Sequence, residues 1–304
     1  MERPTPMPPA PGTPAGAKPV RAASATRPPV VRRDKLGAAG APSWLMTLLG
    51  ECVLPGGGAA WTATLLAALD GLGVEERSAR QALARSAADG RIDAERVGRR
   101  TRWVITASGR RLLTEGAERI YSFGAPRPEW DGTWLVLMVT VPESRRKVRH
   151  QLRTKLTWAG FGSPAPGLWI GPDPGRAAEA AGILGELGLD APAFSFRGAF
   201  GGIGSERAMV DQAWDLAEIA ERYRAFLDEF SDLRPTTRFE VLLAQLRLVH
   251  EWRRFPLLDP QLPSALLPAH WIGDRAAGLF ARLHAEWGPR ARAAWAELAE
   301  EAAA

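Results

Sequence analysis

Cysteine, histidine and long apolar runs are all scarce in this chain. A single cysteine, Cys52, among 304 residues excludes an internal disulfide and any metal site built on several thiolates. The four histidines show no HExxH or similar ligand spacing. No run of eighteen apolar residues occurs, and the N-terminus lacks the apolar stretch of a secretory signal. These absences favour a cytoplasmic protein without a membrane span, a metal site or a cofactor.

The net charge of +5 is distributed unevenly. Residues 1–41 contain seven lysines and arginines against two acidic residues, so the rest of the chain is neutral overall. This segment is rich in proline and alanine and almost free of large apolar side chains, which predicts a disordered tail. Residues 91–111 carry seven arginines against two acidic residues. This local excess, rather than the total charge, favours a surface for nucleic acid.

Residues 61–106 combine two helical patterns with a basic hairpin. Apolar residues at three- and four-residue steps predict a helix from about Trp61, and residues 70–73 end it with turn-forming residues. A second helix is predicted at 75–88, followed by two strands whose connection contains Arg99 and Arg100. This order predicts a winged helix-turn-helix, a fold that binds duplex DNA. The predicted buried side of the second helix is Val74, Ala79, Ala82 and Leu83.

The other side of this second helix and the hairpin provide candidate DNA contacts. Arginine and glutamine can form paired hydrogen bonds to guanine or adenine in the major groove. Arginines of the hairpin would contact phosphates or the minor groove, which positions a protein more than it selects a sequence. The alternative, a solvated polar face, is disfavoured by the adjacent hairpin. The candidate DNA-binding residues are Arg77, Arg80, Gln81, Arg85, Arg99, Arg100 and Arg102.

The central region has the pattern of a small α+β domain. A near-continuous apolar run at 134–141 predicts a central strand covered on both faces. A basic helix, a strand, a second helix and a further strand follow, an order typical of a ferredoxin-like domain. These four elements are predicted at 144–159, 168–170, 177–187 and 193–197.

From residue 208 onward the pattern is helical. The prolines of 255–263 predict an extended segment, and Gly288-Pro289 predicts a break in the last helix. The chain is therefore predicted to have an α+β multidomain fold. Its predicted parts are a tail at 1–41, a winged helix-turn-helix at 42–124, a ferredoxin-like domain at 129–205 and an all-helical domain at 208–304.

Five short motifs occur in a specific order. They are LLGECVLP at 48–55, VEER at 74–77, RVGRR at 96–100, LTWAGFG at 156–162 and HEWRRFP at 250–256. In this order and spacing the chain resembles the PaaX family, bacterial repressors of phenylacetate-degradation genes, over about residues 43–300. The resemblance implies a central domain similar to the CRISPR-associated Cas2 fold. It also implies a homodimer that an aryl-acyl-CoA such as phenylacetyl-CoA releases from its DNA operator.

An acyl-CoA effector needs cations for its phosphates and an apolar slot for its acyl group. The candidate effector-binding residues, which offer both properties, are Trp158, Phe161, Trp169, Arg253 and Arg254. The alternative also stays open, in which the basic helix is a solvated surface and the tryptophans belong to the core.

Two other classes of function compete with a repressor. The first is an enzyme acting on a small acyl substrate with a fused DNA-binding module, in which His250 and Glu251 would be a base and its orienting carboxylate. A Cas2-like nuclease would need an acidic residue where Thr140 and Val141 stand. The second is an adaptor protein, which predicts no sequence-specific DNA binding. Because no catalytic set emerges, we predict a DNA-binding repressor and not an enzyme.

Overall fold

The computed structural model describes residues 40–125, 127 and 129–303. Of the tail predicted at 1–41, residues 1–39 lie outside the described residues. Within the described part, no helix is long and apolar enough to cross a bilayer. The helices are α1 (Ala41–Leu48), α2 (Thr62–Gly71), α3 (Glu76–Ala88), α4 (Ala107–Ser122), α5 (Arg146–Trp158), α6 (Ala177–Glu186), α7 (Glu206–Ala213), α8 (Leu216–Phe230), α9 (Arg238–Trp252), α10 (Phe255–Leu258) and α11 (Ile272–Ala303). The strands are β1 (Ala59–Trp61), β2 (Ile92–Val97), β3 (Arg100–Ile105), β4 (Thr133–Val139), β5 (Gly162–Ala165), β6 (Leu168–Gly171) and β7 (Ala193–Ala199).

The N-terminal elements form the predicted winged helix-turn-helix. Strand β3 is central and pairs antiparallel with β1 and with β2. The β2–β3 hairpin, here called the wing, turns at Gly98-Arg99, where Gly98 has φ +61°. Glycine adopts this left-handed conformation without a steric penalty. The residues predicted for the buried side of α3 (Val74, Ala79, Ala82 and Leu83) are all buried.

The central elements form a four-stranded antiparallel sheet in the order β5-β6-β4-β7. This is the ferredoxin-like strand order, and the prediction of that fold is confirmed. Leu135, Leu137 and Val139 of β4 pack under α5 and α6 in a separate core. The opposite face of the sheet is not fully covered, since the side chain of Met138 is 51% exposed. The predicted coverage of β4 on both faces is therefore only partly right.

The C-terminal elements are helical, as predicted, but two local predictions are wrong. Helix α11 continues through Pro289 without the predicted break. Its packing on α8 and α9 compensates for the backbone hydrogen bond that a proline removes. The segment predicted as extended at 255–263 begins with the short helix α10. Pro256 lies in its first turn, where a missing N–H is tolerated.

One hydrophobic core joins the winged helix to the C-terminal helices. Buried side chains from both regions contribute to it, among them Leu48, Leu65, Leu242, Trp252 and Leu283. After α1, the chain continues as a π-helical turn, Leu49–Val53, that also contributes buried side chains. Since protein cores are close-packed, a shift of side chains in the C-terminal helices would displace the side chains of the winged helix that pack against them.

Candidate nucleic-acid interface and ligand-binding residues

Helix α3 presents a row of hydrogen-bond donors to solvent. Because one turn takes 3.6 residues, burial of Ala79, Ala82, Leu83 and Ser86 turns the intervening positions outward. The structure thus brings together four predicted DNA-binding residues on one exposed side. They are Arg77, Arg80, Gln81 and Arg85.

Two of these arginines have partners within α3. Nε of Arg80 lies 2.7 Å from Oε1 of Glu76, and these side chains are 57% and 65% exposed. Nε of Arg85 donates weakly to the carbonyl oxygen of Gln81 at 3.4 Å. An exposed ion pair contributes about 0–1 kcal/mol. A DNA phosphate or a guanine would therefore displace Glu76 from Arg80 at small cost.

The wing carries the other three predicted DNA-binding arginines. Arg99 is exposed at its tip. Arg102 faces Glu95 across the two strands, with Nη2 and Oε2 at 2.6 Å. Nη1 of Arg100 donates to the carbonyl oxygen of Ala302 at 3.3 Å, near the end of α11. The last carbonyls of a helix carry partial negative charge, which favours a cation at this place.

Hydrogen bonds hold the wing against α2 and α4. The indole Nε1 of Trp103 donates to Oγ1 of Thr62 at 2.9 Å, and this hydroxyl donates to the carbonyl oxygen of Thr101 at 3.0 Å. Oγ1 of Thr106 accepts from the amide of Gly109 at 3.0 Å and caps α4. Sequence analysis did not identify Thr62, because its partners lie about forty positions away.

Arg253, a predicted effector-binding residue, connects the end of α9 to α1. Its Nη1 donates to Oγ1 of Thr47 at 2.9 Å and to the carbonyl oxygen of Ser43 at 3.3 Å. Burial lowers the pKa of this guanidinium. The neighbouring Arg254 instead pairs with Glu251 at 2.9 Å.

The structure does not bring the five predicted effector-binding residues into one site. Trp158 is 57% exposed on α5, whereas Phe161 is 1% exposed in the core of the central domain. Trp169 is buried and lines a cavity of about 350 Å³ in that domain. Arg253 lines a different cavity, of about 370 Å³. The aromatic residues of the set thus lie in the central domain, apart from the cavity that contains Arg253.

His250 is not arranged as a catalytic base. Its ring is buried and stacks on Trp44 with centroids 3.6 Å apart, and its Nδ1 lies 3.0 Å from Oγ1 of Thr47. Burial, together with the charges of Arg253 and Arg254, lowers its pKa to about 3. The carboxylate of Glu251 bonds Arg254. His250 is therefore a neutral core residue.

A buried carboxylate that sequence analysis missed joins four parts of the chain. Oε2 of Glu51, in the π-helical turn, accepts from Nε2 of Gln245 at 2.9 Å and lies 3.7 Å from Nε2 of His284. The hydroxyl of Tyr121 donates to Oε1. Burial raises the pKa of Glu51, but the hydrogen bonds with His284, Tyr121 and Gln245 outweigh it, so the pKa is lowered.

Three family models match the chain in succession. "PaaX-like protein" matches residues 40–109, "PaaX protein central Cas2-like domain" residues 127–210, and "PaaX-like protein C-terminal domain" residues 214–297. "Transcriptional repressor PaaX" of Escherichia coli (strain K12) is 33% identical over 272 residues, which covers 85% of this chain and 84% of the relative. A solved structure, "Uncharacterized protein Rv0674 from Mycobacterium tuberculosis", has a TM-score of 0.57 at 21% identity and covers 82% of this chain and 96% of that chain. At this identity it supports the fold alone.

The fold and these comparisons define a transcriptional repressor, a class of protein that binds DNA. The chain belongs to the PaaX family. Because repressors of this family are not enzymes, the interpretation as an enzyme with a fused DNA-binding module is not retained.

Proposed function

We propose that this repressor controls an aromatic, phenylacetate-type catabolic operon and that an aryl-acyl-CoA such as phenylacetyl-CoA releases it from DNA. The observation that carries this proposal is the 33% identity to the repressor from Escherichia coli, which extends over 85% of the chain. The resemblance thus covers DNA-binding and C-terminal regions together. With this function, the protein would act in the cytoplasm.

Helix α3 would enter the major groove and the wing would contact the adjacent backbone. The exposed donors of Arg77, Arg80, Gln81 and Arg85 match what base edges and groove-lining phosphates require. Arg99, Arg100 and Arg102 would neutralise phosphates, which positions the helix along the duplex. Their common location on one short hairpin supports this assignment.

The proposed repressor acts as a homodimer on a near-palindromic operator. Two winged helices related by a two-fold axis would contact half-sites about 34–36 Å apart, or a multiple of this distance. An effector that favours a different dimer geometry would misplace the two copies of α3. A coupling free energy of about 1–3 kcal/mol between the effector and the operator DNA is typical. It changes the affinity for the operator by roughly 5- to 150-fold.

The test is fluorescence anisotropy with labelled DNA taken from upstream of the protein's own gene. We expect tight binding to this DNA, weak binding to shuffled DNA of the same composition, and release by phenylacetyl-CoA but not by coenzyme A alone. Equal binding to both DNAs would support the adaptor interpretation. Binding without release by phenylacetyl-CoA would reject the proposed effector. Sedimentation of the protein–DNA complex tests the proposed stoichiometry of two chains.

A further inference from the structure

A cavity of about 370 Å³ lies between the winged helix and the C-terminal helices. Residues of α1, the π-helical turn and α4 line one side, and residues of α9 and α10 line the other. Its volume falls within the range of small-molecule sites, about 300–1,000 Å³. Most of its lining is apolar, with contributions from Met46, Leu113, Ile120, Val249 and Leu257.

The charge in this cavity is positive and partly unpaired. Arg253 lies in the lining, and no carboxylate among the described residues forms a salt bridge with it. Arg91, which pairs with Asp89 at 3.2 Å, and Arg119 also line the cavity, and both side chains reach solvent. Among the described residues of the lining, the single acidic one is Glu51, which already accepts hydrogen bonds from Tyr121 and Gln245. A cation without an acidic partner in an apolar pocket favours a ligand with an anionic or strongly accepting oxygen.

The backbone around the cavity supports a binding role. The π-helical turn Leu49–Val53 supplies Gly50 and Glu51 to the lining. Such turns are rare and occur frequently at functional sites. The cavity also contacts the base of the wing, because Arg91 directly precedes β2 and its carbonyl oxygen accepts from the amide of Thr106 at 3.1 Å. A molecule in the cavity would therefore contact the residue that precedes the wing as well as the C-terminal helices.

We infer that this cavity binds the acyl group of an aryl- or alkyl-acyl ligand, whose carbonyl or carboxylate oxygen accepts from Arg253. Arg91 and Arg119 would meet the anionic remainder of the ligand at the opening. The volume suits an acyl group rather than a whole coenzyme A thioester. This inference rests on the proposed function, since it locates the effector site of that repressor. The same chemistry is present in a free carboxylic acid and in its thioester, so the experiment includes both.

Gly116 of α4 provides a variant that blocks the cavity without removing a contact. It lines the cavity, and a Cβ placed on it meets no atom within 4 Å. Gly116→Leu adds bulk to this space and improves helix propensity, so we expect the protein to fold. Arg253→Gln removes the cation but also changes the contacts with Ser43 and Thr47. Gly182→Leu is the matched control, because Gly182 is also helical, also has open space at its Cβ, and lies in α6 away from the cavity.

The experiment measures binding of phenylacetyl-CoA, phenylacetate and coenzyme A by isothermal titration calorimetry, and operator release by anisotropy. We expect Gly116→Leu and Arg253→Gln to weaken phenylacetyl-CoA binding by about tenfold or more. Gly182→Leu should stay within about twofold of the wild type. Gly116→Leu and Gly182→Leu should bind the operator as the wild type does without ligand, whereas Arg253→Gln, which also loses contacts with α1, is compared for ligand binding alone. Comparable affinity for phenylacetate would identify the free acid as ligand, and a preference for phenylacetyl-CoA would identify the thioester.

The outcomes separate this inference from the proposed function. If Gly116→Leu binds phenylacetyl-CoA and leaves the operator as the wild type does, the cavity is not the site, although the proposed function stands. If the wild type binds phenylacetyl-CoA without leaving the operator, the proposed function fails. Loss of phenylacetyl-CoA binding in Gly116→Leu would then still support the cavity as the binding site. If none of the three compounds binds the wild type, both the inference and the proposed effector are rejected.

Discussion

Oγ1 of Thr47 lies 3.0 Å from Nδ1 of His250, a residue 203 positions further along the chain. The same hydroxyl accepts from Arg253 at 2.9 Å, and the His250 ring stacks on Trp44. These contacts join α1, which packs on α2 and α3 of the winged helix-turn-helix, to α9 of the C-terminal region. Because a cation already lies beside the ring, a protonated His250 would be repelled, so the contact depends on a neutral imidazole.

This contact predicts a pH-dependent stability. The folded pKa of His250, about 3, lies below the ordinary value of 6.5. Between these values the unfolded chain binds a proton that the folded protein excludes, so stability is complete above pH 6.5 and falls as the pH decreases toward 3. From about pH 7 to about pH 5, His250 should account for a loss of about 2 kcal/mol in the free energy of unfolding. Urea denaturation at the two pH values measures it.

The control for this prediction is His250→Phe. Phenylalanine keeps an aromatic ring against Trp44 but does not titrate. The free energy of unfolding should therefore change by about 2 kcal/mol less in the variant than in the wild type between pH 7 and pH 5. A pH dependence equal to that of the wild type would show that other groups cause the acid sensitivity.

The exposed donors of α3 predict a loss of operator affinity in Arg80→Ala. If Arg80 contacts a base, its removal should weaken operator binding by about 1–3 kcal/mol, or roughly 5- to 150-fold, and relax the preference at one base pair. Anisotropy titrations on the operator and on single-substituted operators measure both effects. Arg224→Ala is the matched control, since Arg224 also pairs with a glutamate of its own helix, at α8. Equal affinities of Arg80→Ala and the wild type would contradict the proposed orientation of α3.

The wing predicts a change in the salt dependence of DNA binding. Each phosphate contact contributes about −0.9 to the slope of log affinity against log salt concentration. The double variant Arg99→Ala, Arg100→Ala should therefore flatten this slope by up to about 1.8. Arg146→Ala with Lys147→Ala removes an equal charge from an exposed pair on α5 and should leave the slope unchanged. A flattening in both double variants would indicate a general charge effect rather than contact at the wing.

The sequence predicts those elements that are determined by the pattern of neighbouring residues. The buried side of α3 follows from spacing alone, and the wing follows from a glycine turn between two strand-forming segments. Strand β5 was missed because Gly162-Ser163-Pro164-Ala165 has no large apolar side chain and contains a proline, which an edge strand tolerates. Pro289 misled the prediction of α11 because tertiary packing, rather than local propensity, sustains that helix.

The candidate ligand site was predicted only in part for the same reason. Arg253 was identified from its motif, but its partners Ser43 and Thr47 lie more than two hundred positions away. Glu51 likewise meets Gln245 across 194 positions. Contacts of this kind leave no periodicity in the sequence, and the grouping of Arg253 with the tryptophans of the central domain could not be tested before the fold was known.

Two glycines of α4 should respond to alanine in opposite directions. A Cβ on Gly109 would overlap the carbonyl oxygen of Arg91, a backbone atom that cannot move without displacing the start of β2. Gly109→Ala should therefore destabilise the protein by about 1–3 kcal/mol or more. Because β2 belongs to the wing, the variant should also weaken DNA binding. At Gly116 the same methyl group meets nothing within 4 Å, so Gly116→Ala should stabilise by about 0.5–1 kcal/mol through helix propensity. Urea denaturation of both variants checks the signs, and stabilisation by both would contradict the close approach of Gly109 to the carbonyl oxygen of Arg91.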